Sequence, residues 1–364
     1  MRFLPSLGLL LCSIGLASPS HAVETTTAQQ LSTANLSVAG VGLVDTSGQV
    51  IPESFVYTPN GYLPSECVVR LLPGDNISAA GDIVHRADGS LVQLAACSSA
   101  ARVPASGGSE IIGPPLKRLS GNASIQGSTG SQTPHGVTGL QGYFADITQS
   151  LSSNVGGAQE EWVVPSGPST VGTYNLITYW FGLEPSSSAF VFQPILGFNV
   201  FNDQAWSISA WYCASSCAVS STYVPVSVGD TILGTVSGSS CSSGVCSTWV
   251  TGIQDLNISG SYISTTTTSV STSITYILGA VLEAYNIDLG TCSEMPPTGA
   301  NVAFINTGTV DTTGSPISSI NTPANWTLNA NMQPYPPATQ CDWSVSATQI
   351  TTPTQTEIGL SIYH

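Results

Sequence analysis

Two polar residues stand inside strongly apolar stretches. Glu283 lies in Ser273–Ile287, where Val281-Leu282-Glu283-Ala284-Tyr285 follows Tyr276-Ile277-Leu278. Gln193 lies in Phe190-Val191-Phe192-Gln193-Pro194-Ile195. β-Branched and aromatic residues dominate both stretches, so both read as strands. Strand side chains alternate between faces, so Val281, Glu283 and Tyr285 share one face and Leu282 and Ala284 the other. A carboxylate among apolar neighbours resists ionising, and such acids are enriched at functional sites. A buried amide needs partners and can donate hydrogen bonds. The plainer readings are an acid that reaches solvent at a strand end and an edge-strand glutamine bonded to backbone.

The composition narrows the chemistry that could surround them. All six Lys and Arg lie at or before Arg118. Residues 119–364 carry 13 Asp and Glu, with only His135 and His364 as histidines. A Ser-His-Asp arrangement lacks a base beside its serine. Ser-Lys pairs and phosphate-cradling loops lack their lysine. Two histidines and no Cys-x-x-Cys pair give no metal site, and no cofactor is implied. A hydrolase built from this stretch must work with carboxylates and amides. Asp45-Thr46-Ser47-Gly48 and Asp311-Thr312-Thr313-Gly314 resemble the Asp-Thr-Gly of aspartic peptidases with the glycine displaced, and both read as turns.

The elements around these residues fall into four parts. Residues 1–22 have the form of a secretory signal peptide: Arg2, an apolar Phe3–Leu16, then Ser20-His21-Ala22. Asn35, Asn76, Asn122, Asn257 and Asn325 are glycan acceptors by motif. Lys117-Arg118 follows Gly113-Pro114-Pro115-Leu116 and reads as a processing site. Residues 23–118 are then a propeptide, small and β-rich, with strands over Ser37–Val44, Gln49–Tyr57 and Ser90–Ala96. Residues 119–153 are a flexible lead-in rich in Gly, Ser and Thr. Residues 154–364 form the main domain. Many short strands without a capped amphipathic helix predict an all-β sandwich or barrel.

The net charge is −15. Residues 119–364 account for −13 of it. Near pH 3 most carboxylates are neutral and few cations remain, so charge repulsion largely vanishes. This suits work in acid and argues against nucleic acid or an anionic membrane as partner. Two cysteines, Cys67 and Cys97, lie between the signal and Arg118, and six lie beyond it. Even counts fit a disulfide framework in a secreted protein. Proximity pairs Cys213 with Cys217, Cys241 with Cys246 and Cys292 with Cys341.

Over roughly residues 154–310 the sequence resembles the eqolisin-type glutamic peptidases. Asn154-Val155-Gly156-Gly157-Ala158 and Glu161-Trp162-Val163-Val164-Pro165 are similar to that family's opening motifs. Trp180-Phe181-Gly182-Leu183-Glu184 is similar to its Trp-Val-Gly-Ile-Asp, and Gln193 falls where its catalytic glutamine follows. Trp211-Tyr212 and Val228-Gly229-Asp230-Thr231-Ile232 match later strands. Val281-Leu282-Glu283-Ala284-Tyr285 resembles the segment carrying the catalytic glutamate. Val155, Ala210 and Pro194 depart from the pattern. The resemblance implies an all-β antiparallel sandwich of two sheets, similar to the concanavalin A-like architecture, with secretion as a proenzyme and acid endopeptidase activity on polypeptides; a monomer is expected. It implies Glu283 as the general base, Gln193 as the oxyanion donor, and Trp180, Glu184, Trp211, Tyr212 and Tyr285 as groove or supporting residues.

The rival readings are a secreted lectin-like binding module, in which Trp249, Tyr262, Trp326 and Trp343 would stack on sugars, and a catalytically silent β-sandwich relative, to which the departures at Val155, Ala210 and Pro194 point. A cell-surface structural protein is a third. Geometry separates them: a peptidase needs Gln193 and Glu283 converging on one open groove, and the binding reading wins if they lie on opposite sheets or point apart.

Overall fold

The structure is a computed structural model. It describes residues 29–30, 55–59, 61–94, 140–170, 175–201, 203–288, 292–297, 300–322, 325–333, 344–345 and 356–361. The signal peptide, Lys117, Arg118, Asn35, Asn122, Cys97, Trp343, the Ser37–Val44 strand and the Cys341 end of the third disulfide lie outside these residues.

In chain order the strands are β1 (Gln29–Gln30), β2 (Phe55–Thr58), β3 (Gly61–Pro64), β4 (Val68–Leu71), β5 (Asn76–Ser78), β6 (Ile83–His85) and β7 (Leu91–Gln93). Then come β8 (Leu140–Ser150), β9 (Val155–Val163), β10 (Leu176–Glu184), β11 (Val191–Phe198), β12 (Trp206–Cys213), β13 (Cys217–Ser220) and β14 (Thr222–Pro225). The remainder are β15 (Thr231–Ser242), β16 (Val245–Asp255), β17 (Ile263–Thr268), β18 (Tyr276–Asp288), β19 (Asn301–Asp311), β20 (Thr327–Gln333), β21 (Ser344–Val345) and β22 (Thr356–Ser361). Short 3-10 turns, such as Ser65–Cys67, are the only helical pieces among the described residues.

Two ten-stranded sheets form the sandwich. The first runs β1-β14-β12-β11-β10-β18-β8-β20, with β13 beside β12 and β4 beside β13. The second runs β21-β22-β19-β9-β15-β16-β17-β5-β6-β7. Pairings are antiparallel except for β4 on β13 and β5 on β17. Both exceptions come from the segment before Lys117-Arg118. That segment is therefore no free-standing unit, since β4 to β7 extend the edges of both sheets. Strands of three or four residues bury too little on their own and gain partners at existing edges. The lead-in expectation also needs correction. Its last third is β8, which pairs with β18 along most of its length.

The inter-sheet core is aromatic. Trp162 of the second sheet meets Phe304 at 5.0 Å and Phe181 of the first sheet at 6.2 Å between ring centroids. Gly234 makes room for these rings, because a Cβ there would stand 2.7 Å from Phe181 and 2.8 Å from Trp162. Trp249 stacks on Phe192 at 5.2 Å and donates its indole N–H to the Cys246 carbonyl. Trp249 and Trp326 are buried, so neither is available to stack on a sugar. Tyr262 is half exposed.

Every residue of β10, β11 and β12 is buried. Such strands need cover on both faces, which explains why their sequences run apolar without clean alternation. The second sheet covers one face. The other face carries a separate apolar cluster of Leu176, Trp180, Val191, Ile195, Trp211 and Val281, together with Val56, Leu63 and Cys67. The β2–β3 hairpin and the Ser65–Cys67 turn thus pack against the outer face of the first sheet. Disulfides Cys213–Cys217 and Cys241–Cys246 close the β12–β13 and β15–β16 hairpins. Cys67 is also disulfide-bonded. No helix among the described residues is long and apolar enough to cross a membrane.

Candidate active site

β10 lies between β11 and β18, and its register places the candidate residues. Thr178 pairs with Glu283 and Trp180 with Val281 on the β18 side. On the β11 side Trp180 pairs with Ile195 and Leu183 with Phe192, which sets Gly182 level with Gln193. Gln193 pairs in turn with Trp211 of β12. Antiparallel partners share a face. Thr178, Trp180, Glu283, Gln193 and Trp211 therefore stand on one face of one sheet, the face that carries the second apolar cluster. Glu283 is 3% exposed and Gln193 1%.

Trp180 spans the interval between the two. Its Nε1 donates to Glu283 Oε2 at 3.1 Å. Thr178 Oγ1 donates to the same oxygen at 3.0 Å. The six-membered edge of the indole points the other way, toward Gly182. A Cβ on Gly182 would meet Trp180 Cζ3 at 3.0 Å and the Phe192 carbonyl at 2.7 Å. The ring therefore runs along β10 from Glu283 to the level of Gln193. Gln193 Oε1 is buried without a hydrogen-bond partner. A buried, unpaired amide oxygen is costly.

The remaining expected residues separate into those on this face and those elsewhere. Trp211 is on it, its Nε1 donating to Ser209 Oγ at 2.8 Å. Glu184 is buried further along, opposite Tyr276, and accepts from Ser188 Oγ at 3.0 Å. Tyr285 takes the register position opposite Leu176, two residues beyond Glu283. Tyr212 is a correction. As the strand neighbour of Trp211 it points to the opposite face, where it packs against Phe190 and Phe192 and donates its hydroxyl to the Ala79 carbonyl. Tyr212 is part of the inter-sheet core and not of a groove.

Thr178 and Gly182 escaped the sequence reading. Both sit at two-residue steps from Trp180, and that spacing was the available signal. The cover of Val56, Leu63 and Cys67 was also missed. Its sequence sign was Asn60-Gly61 between β-forming residues, a strong hairpin signal. Among the described residues this cover shares the apolar cluster on the face of Glu283 and Gln193, and both of these are buried. Among the described residues no group of three or more His, Cys, Asp and Glu is placed to hold a metal ion.

A further buried acid lies inside the sandwich. Glu160 of β9 is fully buried and accepts from Asn306 Nδ2 at 3.2 Å. Burial pushes its carboxyl well above the usual range, against the smaller opposing effect of Asn306.

No family profile matches the chain, and no curated protein matches it. Among solved structures, scytalido-glutamic peptidase with a peptide-based transition state analog aligns at 15% identity and a TM-score of 0.39, over 61% of this chain and 100% of its own. SCP-B, a member of the eqolisin family of peptidases in a complex with the tripeptide Ala-Ile-His, aligns at 16% identity and a TM-score of 0.37, over 61% and 99%. The chain is thus similar, remotely, to scytalido-glutamic peptidase and to SCP-B.

Proposed function

We propose that this chain is a secreted acid endopeptidase, made as a proenzyme, that hydrolyses polypeptides with Glu283 as general base and Gln193 as oxyanion donor. The observation that carries the reading is the placement of these two residues on one face, on the two strands flanking β10, with Trp180 between them.

Glu283 takes a proton from water while the water oxygen attacks the peptide carbonyl carbon. The carbonyl oxygen becomes an oxyanion, to which the Gln193 side-chain amide donates. Glu283 then passes the proton to the departing nitrogen, the C–N bond breaks, and a carboxylic acid and an amine leave. Thr178 and Trp180 act as positioning residues by fixing one carboxylate oxygen, so that the rotamer presented to water is set in advance. Glu184, Trp211 and Tyr285 would line the groove. The mechanism uses no metal or cofactor. The protein works as a monomer, without nucleic acid or membrane as partner. The composition of residues 119–364 supports action in acid, and the signal-like residues 1–22 support secretion.

The covered face supports the proenzyme part of the reading. Val56, Leu63 and Cys67 occupy the side from which a substrate would approach, so residues 55–67 are the cover that activation must displace. The test is digestion of casein or denatured globin between pH 2 and 7, with the processed protein and with Glu283→Gln. Acid-dependent cleavage abolished by the substitution is the expected result. Absence of cleavage at every pH, or a Glu283→Gln protein that retains its rate, would overturn the proposal.

A further inference from the structure

The segment before Lys117-Arg118 is built in two different ways. Residues 55–67 lie against the first sheet as a separate two-stranded sheet and a turn, with no strand pairing to either layer. Residues 68–94 are woven into the sandwich. β4 runs parallel to β13 through four register pairs, Val68 with Cys217 to Leu71 with Ser220. A few residues later β5 runs parallel to β17, pairing Ile77 with Thr267 and Ser78 with Thr268. One short length of chain thus pairs with a strand of the first sheet and, a few residues on, with a strand of the second.

The side chains follow the backbone. Leu71, Ile77 and Val84 are buried in the same inter-sheet core as Phe192, Tyr212 and Trp249. The turn after β5 is clasped from the other side. Its carbonyls at Ala79, Ala80 and Gly81 accept, in order, from Tyr212 Oη, Ser215 Oγ and Ser216 Oγ. Ser215 and Ser216 lie in the loop closed by the Cys213–Cys217 disulfide, which presents them together. Ala79 N also donates to the Thr268 carbonyl at 2.9 Å, and Ser221 N to the Leu71 carbonyl at 3.1 Å.

We infer that residues 68–94 are a permanent part of the folded protein and stay bound after the chain is cut. Hydrolysis of a peptide bond between 94 and 140 consumes one water and leaves a new carboxyl and a new amine. It does not remove two strand pairings, a clasped turn and three core side chains. The product is a two-chain protein, and release of residues 68–94 would bare two sheet edges and a wet core, an aggregation hazard. A cut at Lys117-Arg118 therefore leaves the cover of residues 55–67 tethered through Cys67–Val68, so the cover must lift or be cut on its own. The inference does not depend on the chemistry of Gln193 and Glu283.

The experiment uses the full chain carrying Glu283→Gln, so that self-digestion cannot contribute. A recognition site for a specific endoprotease is placed within residues 101–112 and the purified protein is cut. A reducing, denaturing gel then shows two fragments, and size exclusion and native mass measurement at pH 4 and pH 7, with and without mild reductant, read what remains together. The expected result is a single particle with the summed mass of both fragments under all four conditions. Elution of the N-terminal fragment apart from the rest would overturn the inference. A second variant, Tyr212→Phe with Ser215→Ala and Ser216→Ala, removes the clasp donors while keeping the core volume. It is expected to speed dissociation of the cut protein at least tenfold in a dilution assay, and an unchanged rate would count against the clasp.

Discussion

Trp180 donates its indole N–H to the oxygen of Glu283 that also receives the Thr178 hydroxyl, at 3.1 and 3.0 Å. Two donors on one carboxylate oxygen fix the plane of the group and favour its charged form. A hydrogen bond to a charged group is worth about 1.5–3 kcal/mol. Thr178→Val and Trp180→Phe should each lower kcat on a peptide substrate by roughly 10- to 100-fold, with KM changing less. The acid limb of the pH–rate profile should move to higher pH in both, because the base form has lost a donor. Thr178→Ser should restore most of the loss. A merely structural Thr178 would leave the profile where it was.

Gln193 should behave differently. An oxyanion donor acts in the transition state and little in the ground state, so its removal falls on kcat. Gln193→Met keeps the size of the side chain without its donors. It should cost on the order of 10²–10³ in kcat at nearly constant KM. The same substitution removes a buried oxygen that has no partner, so thermal stability should hold or rise. A Gln193→Met protein that is both unstable and fully active would dispose of the oxyanion role.

The placement of Gln193 and Glu283 was legible because each is a polar residue in an apolar run. An all-β fold was legible from short β-branched runs between turn clusters, and the choice of a two-sheet sandwich over a barrel came from the family resemblance. Tyr212 was misplaced because Trp211-Tyr212 was read as one motif, whereas adjacent strand residues face opposite ways. β8 was missed because the apolar residues of Leu140–Ser150 are interrupted by Gln, Gly, Asp and Thr without clean alternation, and its strand form is completed by pairing with β18. The parallel seats of β4 and β5 had no local signature. They depend on edges contributed by residues more than 100 positions away.

Stability should fall as pH rises from acid to neutral. Burial pushes Asp203 and Asp255 up to about 6 and raises Glu160 well above the usual carboxylate range. These folded-state values exceed the unfolded ones. Below about pH 4 both states are protonated and the contribution is fully present. Between about 4 and 6 the folded state keeps protons the unfolded state has lost, so stability declines as pH rises through that window. Allowing for solvent screening, the sum is on the order of 1–3 kcal/mol, or a fall in Tm of roughly 5 °C. Thermal scans at pH 3.5, 5 and 7 would read it. Repulsion among the carboxylates works in the same direction, so the variants decide. Glu160→Gln and Asp203→Asn should each flatten the slope, and an unchanged slope in both would remove burial as its cause.

Gly182 tests whether the space beside Gln193 is required. An added methyl would meet the Phe192 carbonyl at 2.7 Å and the Trp180 ring at 3.0 Å. Backbone cannot yield far in a central strand, so the indole must move. Overpacking of this kind costs about 1–3 kcal/mol, and Gly182→Ala should lower Tm by roughly 3–10 °C. Displacing the indole also pulls its N–H from Glu283. Activity should therefore fall by more than the loss of folded protein explains, with the same rise in the acid limb as in Trp180→Phe. Gly308→Ala is the control, since its new methyl would find only the Gln159 side chain, at 3.7 Å. If Gly182→Ala and Gly308→Ala behave alike, the indole does not bridge the two residues as described.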